Sequence, residues 1–404
     1  MPKVTILCGE SPLPVCQALK TLAATEVGII HGQGGSKNVA NRVKDFCIDT
    51  LDIDKSKVHL LEVDAFHPIR CQETLFANKT LLASSALVFG PGTSVMNAMI
   101  HDVWRRADGN DDKDGQSWYL QATPSRLLPS NRTLATDPIS TNATGMNTPK
   151  LLALHIPDDH RIKGLDAKGN LKKPKIDIYT FDLEVAPHVE DCLYKGYEMP
   201  EKVKDFVKPD YSDSETPGFF LEGLLFTVFS RSLGVDEINH SVKTSLNGHS
   251  VLEMDLLLRE KDSCIWISCH TTKKNDSLNE KNDVRRNDPT TDFRKKYFEA
   301  KENALRLGGK ESRSITVVNR SIESLNPWVT NPPDIKPYDF PQRLINGVSL
   351  RQKLDLPDKP TVSNKHIIVD LAEILGDNPN KAVTETWNTG WVYEWVKESF
   401  GLLN

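Results

Sequence analysis

The sequence predicts an α/β protein built as two domains, on three observations: the length of 404 residues, short β-branched runs alternating with helix-compatible segments over residues 1–130, and a differently ordered set of elements from residue 216 onward. A single hydrophobic core rarely serves more than about 250–300 residues, so two cores are expected. Hydrophobic residues make up 38% and charged residues 26% of the chain, with a mean hydropathy of −0.41. That balance belongs to ordinary globular proteins and excludes a disordered or membrane-embedded chain. No apolar run reaches the roughly 18 residues that a bilayer span needs. The opening MPKVTILCGE lacks a signal-peptide pattern and reads as a buried first strand, so a cytoplasmic location is expected.

The first domain is expected over residues 1–150. Its strands are VTILC, VGIIHG, VHLLEVD, ALVFGPG and SWYLQATP; PVCQALKTLAA, SKNVANRVKDFCIDTL and TSVMNAMIHDVWRRA between them carry apolar residues at helical spacing. Alternation of this kind gives βα units on a parallel sheet, a Rossmann-like layering. Periodicity is lost over residues 129–175, so 151–185 is expected to be a connection or insertion, with the domain boundary near 185. The second domain, 186–404, starts its clear pattern with the apolar helix TPGFFLEGLLFTVFSRSLG. Strands EINHSVKT, SVLEMDLLLRE and SCIWISCHTT follow, then a polar loop, the charged helix FRKKYFEAKENALRLGG and the strand SITVVNRS. From about residue 325 the chain is rich in proline and tryptophan and closes on an amphipathic helix, TGWVYEWVKESFGLL, in which Trp391, Trp395 and Phe400 read as core anchors.

The seven cysteines (Cys8, Cys16, Cys47, Cys71, Cys192, Cys264, Cys269) are odd in number, scattered and without a CxxC pair. That argues against a disulfide framework and a structural zinc site, and leaves them as small buried hydrophobes. A net charge of −5 excludes a broadly basic nucleic-acid binder. The local stretches KGLDAKGNLKKPK, KNDVRRND and FRKKYFEAK serve equally as phosphate-attracting patches or as solvated faces.

After Phe89, the residues Gly90, Pro91, Gly92, Thr93 and Ser94 lead straight into a helix, bringing backbone N–H groups and two hydroxyls to a helix N-terminus, where anions are favoured. On an open parallel sheet, ligands bind beyond the carboxyl ends of the strands, so Gly9, Glu10 and Ser11 belong near Gly32 to Lys37. A phosphate-bearing ligand suits these loops. A nicotinamide site lacks its GxGxxG in the first turn, and GQGGSK is no Walker motif. The order of segments, and ALVFGPGTSVMNAMIHDVWR above all, resembles the CARF domain that senses cyclic oligoadenylates in type III CRISPR defence, over roughly residues 1–130. The resemblance implies that Gly92, Thr93, Ser94 and Asn97 face the ligand, with Gly9, Ser11, Gln33, Gly35 and Lys37 as further candidates. It also implies a homodimer, since two sensor domains related by a two-fold axis match an even-membered ring. On symmetry, cyclic tetra-adenylate is the preferred allosteric activator, with the hexa-adenylate open.

In the second domain, Glu222 stands on an apolar helix, and Asp255 stands in the apolar strand VLEMDLLL with Glu253 on the same face. Acids placed against apolar surroundings need a partner, and a divalent cation is one. The next strand puts Ser268 and His270 on one face. FFLE, EMD, SCHT and ALRLGG, in this order, resemble the PD-(D/E)xK nuclease half of CARF-domain ancillary nucleases, whose segments read approximately WLE, E-x-D and (E or S)-C-K-T. The resemblance implies a restriction-endonuclease-like domain using Mn²⁺ or Mg²⁺, with Glu222, Glu253 and Asp255 as metal ligands and Glu222, Asp255, His270 and Lys273 as catalytic groups. The sequence departs from the family at the lysine position, held by His270, and at the second carboxylate position, held by Ser268. Histidine there acts as base or ligand, or marks altered activity; Lys274, Lys295, Lys296 and Lys301 are alternative cations. The expected function is a ring-activated, metal-dependent nuclease acting on DNA or RNA in antiviral defence. Its rivals are an impaired nuclease that binds ring and nucleic acid, and a sensor that degrades its own ring.

Overall fold

The structure is a computed structural model, and it describes residues 2–110, 117–122, 125–130, 137–156, 159–172, 216–247, 249–271, 289–309, 311–318, 351, 354–357, 359–375 and 391–402. The chain divides into two compact units, Met1–Asp159 and His160–Asn404.

The first unit runs β1 (Lys3–Cys8), α1 (Pro12–Thr21), β2 (Glu26–His31), α2 (Gly35–Asp49), β3 (Val58–Glu62), α3 (Pro68–Ala77), α4 (Lys79–Leu82), β4 (Ala86–Phe89), α5 (Ser94–Arg105), β5 (Ser117–Gln121), β6 (Arg126–Pro129), β7 (Ile139–Ser140) and α6 (Thr148–Ala153). Its sheet has the order β3-β2-β1-β4-β5-β6-β7. The first five strands in that order are parallel; β6 and β7 continue antiparallel. Consecutive burial from Val4 to Cys8 and from Val27 to His31 is what strands covered on both faces require. The strand order reverses direction between β1 and β4, which opens a crevice beyond their carboxyl ends.

The second unit runs β8 (His160–Ile162), α7 (Thr216–Ser232), β9 (Glu237–Leu246), β10 (His249–Glu260), β11 (Ser263–His270), α8 (Pro289–Gly308), β12 (Arg313–Val318), β13 (His366–Asp370), α9 (Leu371–Leu375) and α10 (Trp391–Ser399). The sheet order is β13-β12-β11-β10-β9-β8. Strands β8 to β11 pair antiparallel, and β11, β12 and β13 pair parallel. Phe220, Leu221, Leu224, Leu225, Val228 and Phe229 bury one side of α7 against alternate residues of the sheet (Leu256, Leu258, Ile265, Ile267, Ile315, Val317) and against Val392 and Trp395 of α10. Each such side chain contributes roughly 1.5–3 kcal/mol on burial. On the opposite face, Phe293 and Tyr297 of α8 pack on Val318 and Ile368.

Two features depart from the sequence reading. The run HIIVD forms β13, a fully buried parallel strand, within the stretch read only as rich in proline and tryptophan. Its apolar core is only the three residues Ile367, Ile368 and Val369, which carry no alternation, so periodicity could not mark it as strand. The aperiodic stretch 129–175 contributes α6 and the edge strand β8, whose three residues pair with β9. A three-residue edge strand is set by its partner rather than by its own composition. Among the described residues, no helix is long and apolar enough to cross a membrane.

Candidate functional site

At the carboxyl ends of β1, β2 and β4 the loops touch. A Cβ on Gly9 would stand 2.8 Å from the backbone nitrogen of Gly92, so the turn after β1 lies directly on the turn after β4. Gly92 itself has φ +101°, which only glycine adopts without strain. Thr93 caps α5, its hydroxyl accepting from the Met96 N–H at 3.2 Å and donating to the Ala65 carbonyl at 2.5 Å. Asn97 closes the turn: its Oδ1 accepts from the Gly90 N–H at 2.6 Å, and its Nδ2 donates to the carbonyls of Gly90 at 3.2 Å and Thr93 at 3.0 Å. These two side chains hold the loop in shape.

Ser94, Gly92, Gln33 and Gly35 are exposed, and Ser11 is half-buried with no side-chain cap bond. Lys37 is exposed and pairs with Glu62 at 3.1 Å. The arrangement offers exposed main chain, a hydroxyl and the N-terminus of a twelve-residue helix on one rim, which suits an anionic, multivalent ligand. Cys8 and Cys47 beneath it have thiols pushed up to about 12 by burial, and are inert.

In the second unit, α7, β9 and β10 bring Glu222, His240 and Asp255 near one another. His240 Nε2 stands 2.8 Å from Glu222 Oε2, with both side chains largely buried. The ring nitrogen has no aligned hydrogen bond, so this is a close approach rather than a directed bond. Asp255 accepts the Cys269 N–H at 2.5 Å. Its carboxyl is pushed up to about 8, first by burial and then by the Glu222 charge; the Cys269 N–H and the Lys296 ammonium act in the opposite direction. Cys269 is held protonated by burial and by the same two acids.

The remaining expected residues are held by other partners. Glu253 pairs with Lys243 of β9 and accepts from Ser241 Oγ at 3.3 Å, while its charge still helps to raise the Asp255 pKa. His270 sits edge-on to Phe293, ring centres 5.2 Å apart, and Ser268 is half-buried beside it in sequence. Lys273 and Lys274 lie outside the described residues. Of the three helix lysines, Lys296 is the one whose charge acts on Asp255; Lys301 acts on His366. His240 is the residue that sequence reasoning missed. Its only signal was a histidine in a strand otherwise fit for packing, EINHSVKT.

Among the described residues, no three His, Cys, Asp or Glu side chains converge as a ready-made metal cage. The Glu222 carboxylate does lie close enough to disfavour the charge of Asp255, and a divalent cation relieves that repulsion. Mg²⁺ in particular is commonly held by one or two carboxylates together with substrate phosphates, so the residues present fit such an ion.

No protein-family model matches the chain, and no curated protein matches it by sequence. Solved structures do. Can2 from Sulfobacillus thermosulfidooxidans, in complex with cyclic tetra-adenylate, superposes with a TM-score of 0.56 at 12% identity, covering 98% of this chain and 97% of that one. Protein VC1899 from Vibrio cholerae superposes with a TM-score of 0.54 at 11% identity, covering 99% and 98%. The chain shares with both a two-unit α/β fold over its full length, and at the level of structure this matches the fold expected from the resemblance.

Proposed function

We propose that the protein is a homodimeric, cytoplasmic, metal-dependent nuclease of type III CRISPR antiviral defence, activated by cyclic oligoadenylate, with cyclic tetra-adenylate as its activator. The observation that carries the reading is the whole-length fold shared with a protein solved with cyclic tetra-adenylate bound, joined to a partly buried Glu222–Asp255 acid pair in the second unit. In this reading the unit Met1–Asp159 forms the sensor and the unit His160–Asn404, which takes in β8 from the stretch expected to connect, forms the nuclease domain.

The sensor loops bind ring phosphates through main-chain N–H groups after Gly9 and Gly92 and through Ser94, with Gln33, Gly35 and Lys37 on the rim. Thr93 and Asn97 keep the turn in its binding shape. In the second unit, Glu222 and Asp255 would hold Mg²⁺ or Mn²⁺, which lowers the pKa of water and stabilises charge on a phosphoryl oxygen. Glu253, tied to Lys243, adds negative charge beside the pair. His240 orients the Glu222 carboxylate, and the Cys269 N–H orients that of Asp255. Lys296 supplies positive potential beside Asp255, a part of the role that a lysine at position 270 has in the resembling family. His270 packs on Phe293 at the edge of this site. Activation requires that the ring bind the active arrangement better than the inactive one, since equal affinity shifts nothing.

A second reading, a ring-binding protein with impaired cleavage, is favoured by Ser268 and His270 standing where a carboxylate and a lysine are expected. One assay separates the two. Cleavage of plasmid DNA and of single-stranded RNA is followed with Mg²⁺ or Mn²⁺, with and without cyclic tetra-adenylate, for the natural protein and for Asp255→Ala. Ring-dependent cleavage lost in the variant supports the nuclease; ring binding without cleavage under every condition supports the impaired protein.

A further inference from the structure

The segment between β3 and α3 carries the most exposed large apolar side chain among the described residues, Phe66, at 83% exposure, with Ile69 at 63% a turn further on. Its backbone is held firmly. Asp64 Oδ1 accepts from the N–H groups of Phe66 at 3.2 Å and His67 at 3.1 Å, and His67 Nδ1 caps α3 by accepting from Arg70 N–H at 3.3 Å. The Val63 N–H reaches the His31 carbonyl at 2.9 Å, tying the segment to the end of β2.

The same segment is wedged into the phosphate-favouring rim. Thr93 donates to the carbonyl of Ala65 at 2.5 Å, and a Cβ on Gly32 would meet the Ala65 Cβ at 2.8 Å. Phe66 therefore stands one residue from the point where the loops after β2 and β4 meet. Polar residues Asp64, His67 and Arg70 neighbour it along the chain. A rigidly mounted aromatic ring amid polar groups, next to main-chain anion donors, is the arrangement that stacks a nucleobase while its phosphate is held alongside.

We propose that Phe66 is a stacking platform for a base of the ring nucleotide, with Ile69 flanking it, and that the loop after β3 is thereby a fourth wall of the ligand site. The inference rests on the sensor reading above and adds to it a residue and a contact type that the loops after β1, β2 and β4 do not provide. Stacking on a protein aromatic is sequence-tolerant, so Phe66 contributes affinity, while hydrogen-bonding groups elsewhere choose the base.

The test uses the full chain. Binding of cyclic tetra-adenylate to the natural protein, Phe66→Ala and Phe66→Tyr is measured by calorimetry, and the mass of each ligand-free protein by light scattering. Phe66→Ala is expected to bind roughly 5- to 150-fold more weakly, Phe66→Tyr to bind within a few-fold of the natural protein, and all three masses to agree. Unchanged affinity in Phe66→Ala overturns the platform. So does a lower ligand-free mass in that variant, because Phe66 would then belong to a contact between copies. If the natural protein binds no ring at all, the sensor reading itself fails, and the platform with it.

Discussion

His240 Nε2 lies 2.8 Å from Glu222 Oε2, a close side-chain approach between a strand and a helix of the second unit. Groups that orient a metal-binding carboxylate set its affinity about as strongly as the carboxylate's own identity does. His240→Gln is therefore expected to lower cleavage roughly 10- to 100-fold at limiting Mg²⁺ and to recover part of it at saturating metal. A metal titration of initial cleavage rate checks this; an unchanged metal dependence would remove His240 from the site.

Asp255 gives a stability signature of its own. Its folded pKa, about 8, stands above the ordinary carboxyl value, so the folded state binds the extra proton and stability falls as pH rises from about 4 to 8. Asp255→Asn keeps an acceptor for the Cys269 N–H and never acquires the charge. In chelator, the variant should melt at the same temperature as the natural protein near pH 4.5 and several degrees higher at pH 9, while showing no cleavage at either pH.

His366 works in the opposite direction. Burial, with Lys301, Lys365 and Arg313 nearby, lowers its pKa to about 4, and Ser314 Oγ lies 3.0 Å from its Nδ1. The unfolded chain takes up the proton first, so this group's contribution is fully present above about pH 6.5 and is lost as pH falls towards 4. His366→Gln is expected to flatten the acid limb of the melting-temperature profile between pH 6.5 and 4.5.

Gly9 tests the proposed sensor role of the loops after β1 and β4. Adding a Cβ places it 2.8 Å from the Gly92 nitrogen, a contact that main chain must yield to relieve. Gly9→Ala is expected to weaken cyclic tetra-adenylate binding at least tenfold and to destabilise the protein by about 1–3 kcal/mol, read by calorimetry and by urea unfolding. Equal binding would separate the Gly9 turn from the ligand.

The proposed homodimer implies a stoichiometry. If two copies share one ring, calorimetric titration should saturate at one ring per two chains, and light scattering should give a dimer both with and without ring. One ring per chain would contradict a shared site.

The fold was largely legible because its strongest signals are local. Runs such as VTILC and SVLEMDLLLRE, and the helix FFLEGLLFTVF, state their own burial, and the turn GPGTS announces a strand passing into a helix. What periodicity missed was HIIVD, a short run with no alternation, and the strand HRI, which exists through its pairing with β9. At the site, Glu222 and Asp255 were visible as acids in apolar segments, where a charge demands a partner. Glu253 looked equivalent by its place in the strand, yet it turns to Lys243.

The sequence by itself determined the two-unit α/β order, the glycine turns of the first sheet, and the two acids of the second. Tertiary structure decided the rest: that Gly9 lies on Gly92, that Ala65 joins Phe66 to the same rim, that His240 meets Glu222, and that Lys296 is the helix lysine acting on Asp255. Apolar pattern is written along one chain segment, because burial is a property of each residue and its near neighbours. Charge pairing and loop contact are written across segments far apart in sequence, and only the register of strands and the placement of helices on the sheet bring those atoms within a few ångströms.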